Sequence, residues 1–393
     1  MLKPGKYLHI PKQALSLFIY AYLAGWRNWK RWLIRAPYLI PSAAGAVGMG
    51  CIGFPNHPVW EITRRCNLKC IYCHANGGEP AEGELSTREG KKLIEDLASV
   101  KEFGMLVFTG GEPLLRSDIF ELMRYSSSLG LYPILATNGT LISEVVKEIK
   151  KAGVKNVAIG IDSVNKETYE LIRGDKAFEK VMEGIERVRE ENIPLQLNIA
   201  VSELNIGELE ETLRFASYVR SDIVLVYVLN PVGRVDGEHN ISEDMLGEVA
   251  RIILKFQRES IPIIEPVGMP QFWSLLAKKL KNPYLLKPFF KGCVAGKGLL
   301  YIRADGEVLP CPFLPISAGN VRERNVKEIW LSDFMRSIGD RDRLKGRCGE
   351  CEYKYICGGC RGRAYLKTKD PFSEDPLCFI KRSHSGSTMT AVP

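Results

Sequence analysis

The stretch "EITRRCNLKCIYCHANG", residues 61–77, carries cysteines at 66, 70 and 73. Their spacing makes a metal site that is one protein ligand short. A structural zinc ion takes four protein ligands, and the nearest fourth candidate, His74, is strained as a co-ligand because it stands directly beside Cys73. An iron–sulfur cube held by three thiolates instead leaves one iron free to bind a small molecule. Spacing alone leaves both metals open. The three cysteines follow the apolar run "VWEIT" (59–63), which places them on a loop at the end of a strand.

From that strand the chain alternates short apolar runs with helical patterns. Further strands are expected at "MLVFT" (105–109), "YPILAT" (132–137), "NVAIGID" (156–162), "LQLNIAV" (195–201) and "IVLVYVL" (223–229). Their near-continuous apolar character suits parallel strands covered by helices. Helical stretches fall at about 117–129, 143–152, 177–191 and 208–219, and an earlier one opens with the capping box of Ser86 and Glu89. Six βα units predict an α/β fold, a partial (β/α)6 barrel, with function on the loops at the strands' C-terminal ends. Residues 242–281 read as two further helical stretches. From about 285 to 380 the chain is rich in Cys, Gly and Pro, and too poor in apolar periodicity for an independent core, so metals must staple it. The expected division is 1–58, 59–284, 285–380 and a polar tail, 381–393.

The 393 residues are 45% hydrophobic and 25% charged, with net charge +8. That balance is mildly basic, and no nucleic-acid module accompanies it, so a nucleic-acid partner is not expected. The 11 cysteines are clustered and no cleavable signal peptide precedes them, which points to metal in a cytoplasmic protein rather than disulfides. Cys51 stands apart and reads as a small buried hydrophobe. Seven cysteines lie late in the chain: Cys293, Cys311, Cys348, Cys351, Cys357, Cys360 and Cys378. CxxC pairs also suit zinc ribbons, but seven thiols do not divide into fours.

"CNLKCIYC", with Tyr72 before its last cysteine, resembles the signature of the radical S-adenosylmethionine (radical SAM) superfamily. "FTGGEPLL" (108–115) follows one βα unit later and resembles that superfamily's motif for the methionine amine, which implies a binding role for Gly110, Gly111 and Glu112. The resemblance implies that the open iron chelates S-adenosylmethionine and that reductive cleavage gives a 5′-deoxyadenosyl radical, which abstracts hydrogen from a substrate. It also implies an electron donor of flavodoxin or ferredoxin type. Asn138 in "ATNG", Asp162 and Ser163 in "IGIDS", and Arg173 in "ELIRGD" are further cofactor candidates. Asp162 and Ser163 are expected near the ribose, and Arg173 near a carboxylate. The seven late cysteines and "GNVRERNVKEIW" (319–330) resemble the SPASM extension, which carries two auxiliary clusters. That resemblance implies three [4Fe-4S] clusters in all: one on Cys66, Cys70 and Cys73, one on Cys348, Cys351, Cys357 and Cys378, and one on Cys293, Cys311 and Cys360. In sulfatase-maturing relatives a catalytic Asp follows the second of these late cysteines. Here the residue is Pro312, which cannot act as a base.

"ALSLFIYAYLAGW" (14–26) is too short to span a bilayer. On a helix Tyr22, Trp26, Trp29 and Leu33 share one face beside Arg27, Lys30, Arg31 and Arg35. That arrangement suits either packing on the barrel or attachment to a membrane surface. A large hydrophobic substrate, a membrane lipid, is therefore the first expectation, with peripheral membrane attachment. A tetrapyrrole of the haem pathway is the second and a ribosomal peptide the third. An iron–sulfur electron carrier is the non-enzymatic rival.

Overall fold

A computed structural model describes residues 10–28, 30, 56–174, 176–235 and 241–380. Its centre is a parallel sheet of eight strands: β1 (His57–Glu61), β2 (Met105–Thr109), β3 (Tyr132–Thr137), β4 (Asn156–Gly160), β5 (Leu195–Val201), β6 (Ile223–Val228), β7 (Ile263–Val267) and β8 (Leu299–Ile302). β1 to β7 pair in chain order, and β8 lies on the other side of β1, with Val59 opposite Tyr301. A hairpin of β9 (Glu307–Leu309) and β10 (Gly319–Asn320) extends the sheet antiparallel beyond β8.

Helices follow the strands because apolar residues recur at helical spacing between them. Thr87–Ser99 buries Leu93, Ile94 and Leu97, and it starts at the expected capping box, where Ser86 and Glu89 bond reciprocally. The strands alternate their side chains between two surroundings. Trp60 and Phe108 pack outward into the helical layer, and Val59, Val107 and Ile134 form a separate interior cluster.

The six expected strands are all present, and two more join them. β7 lies inside the segment read as helical (242–281), because Pro262, Pro266 and Glu265 break its apolar run. β8 to β10 belong to the barrel's own sheet, so the expected boundary at 284/285 cuts a continuous sheet of ten strands.

The N-terminal helix, Ile10–Ala24, packs on the barrel, one of the two arrangements the sequence left open. Leu17, Tyr20, Ala21, Leu23 and Ala24 are buried. The Tyr20 hydroxyl donates to the Ile264 carbonyl at 2.6 Å, and the Gln257 side chain accepts from the Ile264 N–H at 2.6 Å, so both backbone groups of Ile264 on edge strand β7 are satisfied. Tyr20, Phe272, Trp273 and Phe290 form an aromatic cluster there, with Trp273 and Phe290 stacked at 4.6 Å. Trp26, on the face that suits either the barrel or a membrane surface, is 4% exposed and donates its indole N–H to the Ser260 carbonyl at 2.9 Å. Tyr22 does face outward, with Leu15 and Phe18. No helix among the described residues is long and apolar enough to cross a membrane. Cys51, Trp29, Arg31, Leu33, Arg35 and the tail after 380 lie outside the described residues.

Candidate active site

The cysteine loop leaves β1 and folds back on itself. The Cys66 N–H donates to the Gly78 carbonyl at 2.8 Å, and the Gly78 N–H to the Arg64 carbonyl at 2.9 Å. Glu84 accepts from Thr63 and from the N–H groups of Arg64 and Ala81. Arg234, on the loop after β6, clamps the other side by donating to the carbonyls of Cys70 (3.0 Å) and Gly77 (2.7 Å).

Gly110 and Gly111 press their backbone against this loop. The N–H groups of Gly111 and Glu112 donate to the carbonyls of Thr63 and Arg65, both at 2.8 Å. A Cβ at Gly110 would stand 2.2 Å from the Thr63 oxygen, and one at Gly111 2.4 Å from the Arg65 oxygen. These two glycines thus allow a close backbone approach to the cysteine loop itself.

Glu112 is fully buried. It accepts from Thr137 Oγ1 (2.8 Å), the Asn138 N–H (2.7 Å) and the Leu114 N–H (3.1 Å). Burial pushes its carboxyl up to about 7, against the pull of those hydrogen bonds. In this arrangement it braces the second motif against β3 and does not itself line the cavity beside the cysteines.

Asp162, expected near a ribose, is likewise occupied and fully buried. It accepts from Arg173 Nε (2.5 Å) and Nη2 (3.2 Å), from the Ala200 N–H (2.9 Å) and from the Tyr72 hydroxyl. Arg173 also lies over the rings of Tyr72 and Tyr169, each 5.7 Å from its guanidinium carbon. Burial opposes its charge, but Asp162 outweighs that and holds the guanidinium well above its ordinary value. A side chain at Gly160 would collide with this guanidinium. Ser163 is buried against Glu208 and is also away from the cavity.

The cavity has a volume of about 310 Å3, within the usual scale of small-molecule sites. Val59, Leu68, Val107, Ala136 and Leu299 give it an apolar body. Of the expected residues it is lined by Cys66, Cys70, Tyr72, Cys73, Gly111, Asn138 and Arg173, and from the far end of the chain by Cys293, Cys311 and Cys360. It also brings in residues that sequence reasoning did not select: His74, Asn198, Tyr227, Asn230, Arg234 and Tyr301. Asn198 had a visible signal, since Gln196 and Asn198 are alternating polar residues in an otherwise apolar strand. They continue a chain from Asn156 across the barrel interior. His74 is neutral, because burial pushes its imidazolium down to about 4.

The late cysteines fall into two groups. The Cys311 thiol is raised by burial and then by its neighbours Cys293 and Cys360. Cys357 is raised by burial and by Cys348, Cys378 and Cys351, and that group does not line the cavity. Gly292 lies so close to the Cys357 carbonyl that any Cβ would overlap it, and the Cys293 N–H donates to the same carbonyl at 3.0 Å.

The thiols suit iron–sulfur ligation. The ten described cysteines are free of disulfides. Backbone N–H groups point at five of the sulfurs: Leu68 at Cys66, Gly77 at Cys73, Asp375 at Cys348, Tyr353 at Cys351 and Gly359 at Cys357, all within 3.3–3.4 Å. Such bonds favour thiolates and tune cluster potentials. Burial pushes the Cys70 thiol up to about 11, and iron ligation would deprotonate it.

Comparison with known proteins agrees with this chemistry. Residues 60–216 match the radical SAM superfamily, and residues 293–352 match an iron–sulfur cluster-binding domain, SPASM. The chain is 36% identical to an AdoMet-dependent heme synthase of Methanosarcina barkeri over 339 residues, 83% of this chain and 97% of that one. It is 32% identical to an Fe-coproporphyrin III synthase of the same organism, over 84% of this chain and 88% of that one. The fold matches Streptococcus suis SuiB bound to S-adenosylmethionine with a TM-score of 0.68 at 19% identity, covering 84% of this chain and 78% of that one. The chain therefore belongs to the radical SAM superfamily: it is an iron–sulfur enzyme that uses S-adenosylmethionine and [4Fe-4S] clusters, with a C-terminal SPASM domain.

Proposed function

We propose that this enzyme acts on a tetrapyrrole of the haem pathway, forming haem or a near relative from an iron porphyrin. The observation that carries the reading is the likeness to the M. barkeri heme synthase along almost all of that protein's length. The lining is in keeping with it: mostly apolar side chains with a few polar ones, as a partly apolar macrocycle would meet. A membrane lipid loses part of its support, because Trp26 is spent on packing against the barrel, although Tyr22 of the same face points outward. The likeness to SuiB is one of fold and adds no argument for a peptide.

In this reading Cys66, Cys70 and Cys73 hold the cluster that takes S-adenosylmethionine. Cys293, Cys311 and Cys360 hold a second cluster on the same cavity, and Cys348, Cys351, Cys357 and Cys378 a third. Asn230 stands beside the second set, with Oδ1 3.8 Å from Cys360 Sγ. When bound, the first cluster and S-adenosylmethionine supply the hydrogen-abstracting radical, and a one-electron donor must reduce that cluster. The chain's own work is positional. Arg234 and the two glycines fix the cysteine loop, Asp162 sets Arg173 beside Tyr72, and the apolar walls exclude water.

The test is anaerobic turnover with S-adenosylmethionine, reductant and iron coproporphyrin III. Release of 5′-deoxyadenosine coupled to a change in porphyrin mass is expected. Release that is indifferent to the porphyrin, with no porphyrin product, would sink the reading.

A further inference from the structure

His74 sits on the cavity wall next to Cys73, packed edge-to-face against Tyr301 (6.0 Å) and Phe313 (5.9 Å). Its Nε2 is 3.2 Å from the Tyr301 hydroxyl. That hydroxyl donates to Glu61 Oε2 at 2.7 Å, and Glu61 is 3% exposed. A phenol has one proton, and here it goes to Glu61. Nε2 of His74 is therefore the N–H that donates to the phenol oxygen, and Nδ1 keeps its lone pair. No described residue donates a hydrogen bond to that nitrogen.

A carboxylate reached through one hydroxyl, with an imidazole at the end, is how proteins orient a metal-ligating histidine: the far nitrogen's hydrogen bond sets the tautomer and raises the basicity of the other. The adjacent cluster is a poor recipient, because ligation by both Cys73 and His74 of one metal is strained. The cavity's other histidine, His57, is 1% exposed at the start of β1.

We infer that His74 Nδ1 is the axial ligand to the iron of the porphyrin substrate, with Tyr301 and Glu61 as positioning residues that hold the ligating tautomer. The inference rests on the porphyrin reading above. It adds that the enzyme recognises the metal as well as the macrocycle, and that the iron is anchored on the same wall as Cys73 and Cys311.

The test uses the full chain with its clusters reconstituted anaerobically. Ferric coproporphyrin III and the metal-free porphyrin are titrated separately, followed by absorption and by the electron paramagnetic resonance of the ferric ion. Wild type should bind the ferric form at least about tenfold more tightly than the metal-free form, with the signature of a nitrogen axial ligand. His74→Ala should bind both equally and lose that signature, and added imidazole should restore it. Tyr301→Phe should keep the signature but weaken ferric binding by about tenfold, as loss of a ligand's outer hydrogen bond does. Iron content equal to wild type in His74→Ala shows that the clusters and fold survive. An unchanged ferric signature in His74→Ala overturns the assignment. So does equal affinity of wild type for both porphyrins, which leaves the porphyrin reading standing. Binding of neither porphyrin defeats the substrate reading, and the ligand role with it.

Discussion

Asp162→Asn tests whether the Asp162–Arg173 pair, rather than solvent, sustains the charge beside Cys70. The side chains are 0% and 10% exposed, and Arg173 Nε stands 2.5 Å from the carboxylate. The substitution keeps the shape and removes the charge, and a guanidinium cannot neutralise itself by losing a proton. At a charge separation of about 4 Å and an effective dielectric of about 20, the lost attraction is about 4 kcal/mol. Breaking one partner of a buried pair costs about 3–5 kcal/mol by experience, which agrees. The ring contacts of Tyr72 and Tyr169 with Arg173 are common to both proteins and cancel in the difference. A loss of about 3–5 kcal/mol is therefore expected, read from urea midpoints of anaerobic protein with a common slope. Adding Arg173→Met removes the orphaned charge, so the double variant should recover most of the loss. If Asp162→Asn costs under about 1 kcal/mol with full iron content, another group or water satisfies Arg173, and the pair does not organise this wall.

Glu112 has a folded-state pKa of about 7 against an ordinary 4.5, so the folded chain holds its proton more tightly than the unfolded chain. Stability from this group is thus lost as pH rises from about 4.5 to 7, by ~3 kcal/mol. Glu112→Gln should flatten that part of the profile; an identical slope in both proteins would contradict it. Trp26→Ala should cost about 3–5 kcal/mol by emptying a buried site, with no change in sedimentation with anionic vesicles. A stable variant that leaves vesicles it previously bound would restore the membrane-surface role. Replacing Cys66, Cys70 and Cys73 together by Ala should lower reconstituted iron from about twelve to about eight per chain, by the stoichiometry of three cubes. It should also abolish 5′-deoxyadenosine release, and cleavage that persists would remove the assignment of that cluster.

The chemistry of this protein is legible in its sequence because it is written locally. The spacing of Cys66, Cys70 and Cys73 lies within one loop, and "FTGGEP" follows one βα unit later, so neither needs long-range information to be read. The first six strands are legible for the same reason, as apolar runs bounded by turns and helical periodicity. What needed tertiary structure was the choice of partner. β7 is a strand because β6 pairs with it, although Pro262, Glu265 and Pro266 spoil its local pattern. The N-terminal helix has an apolar face on inspection, but lipid and barrel attract such a face equally. The open backbone edge of β7 and the aromatic surface of Trp273 decide for the barrel. Glu112 and Asp162 were visible as carboxylates at strand ends. Whether a carboxylate meets a ligand or a neighbour depends on donors such as Thr137 and Arg173, which fold in from other units. Tyr301 is the extreme case. It reaches Glu61 and His74 only because β8 pairs with β1 across more than 200 residues of chain, a contact that neither periodicity nor spacing encodes.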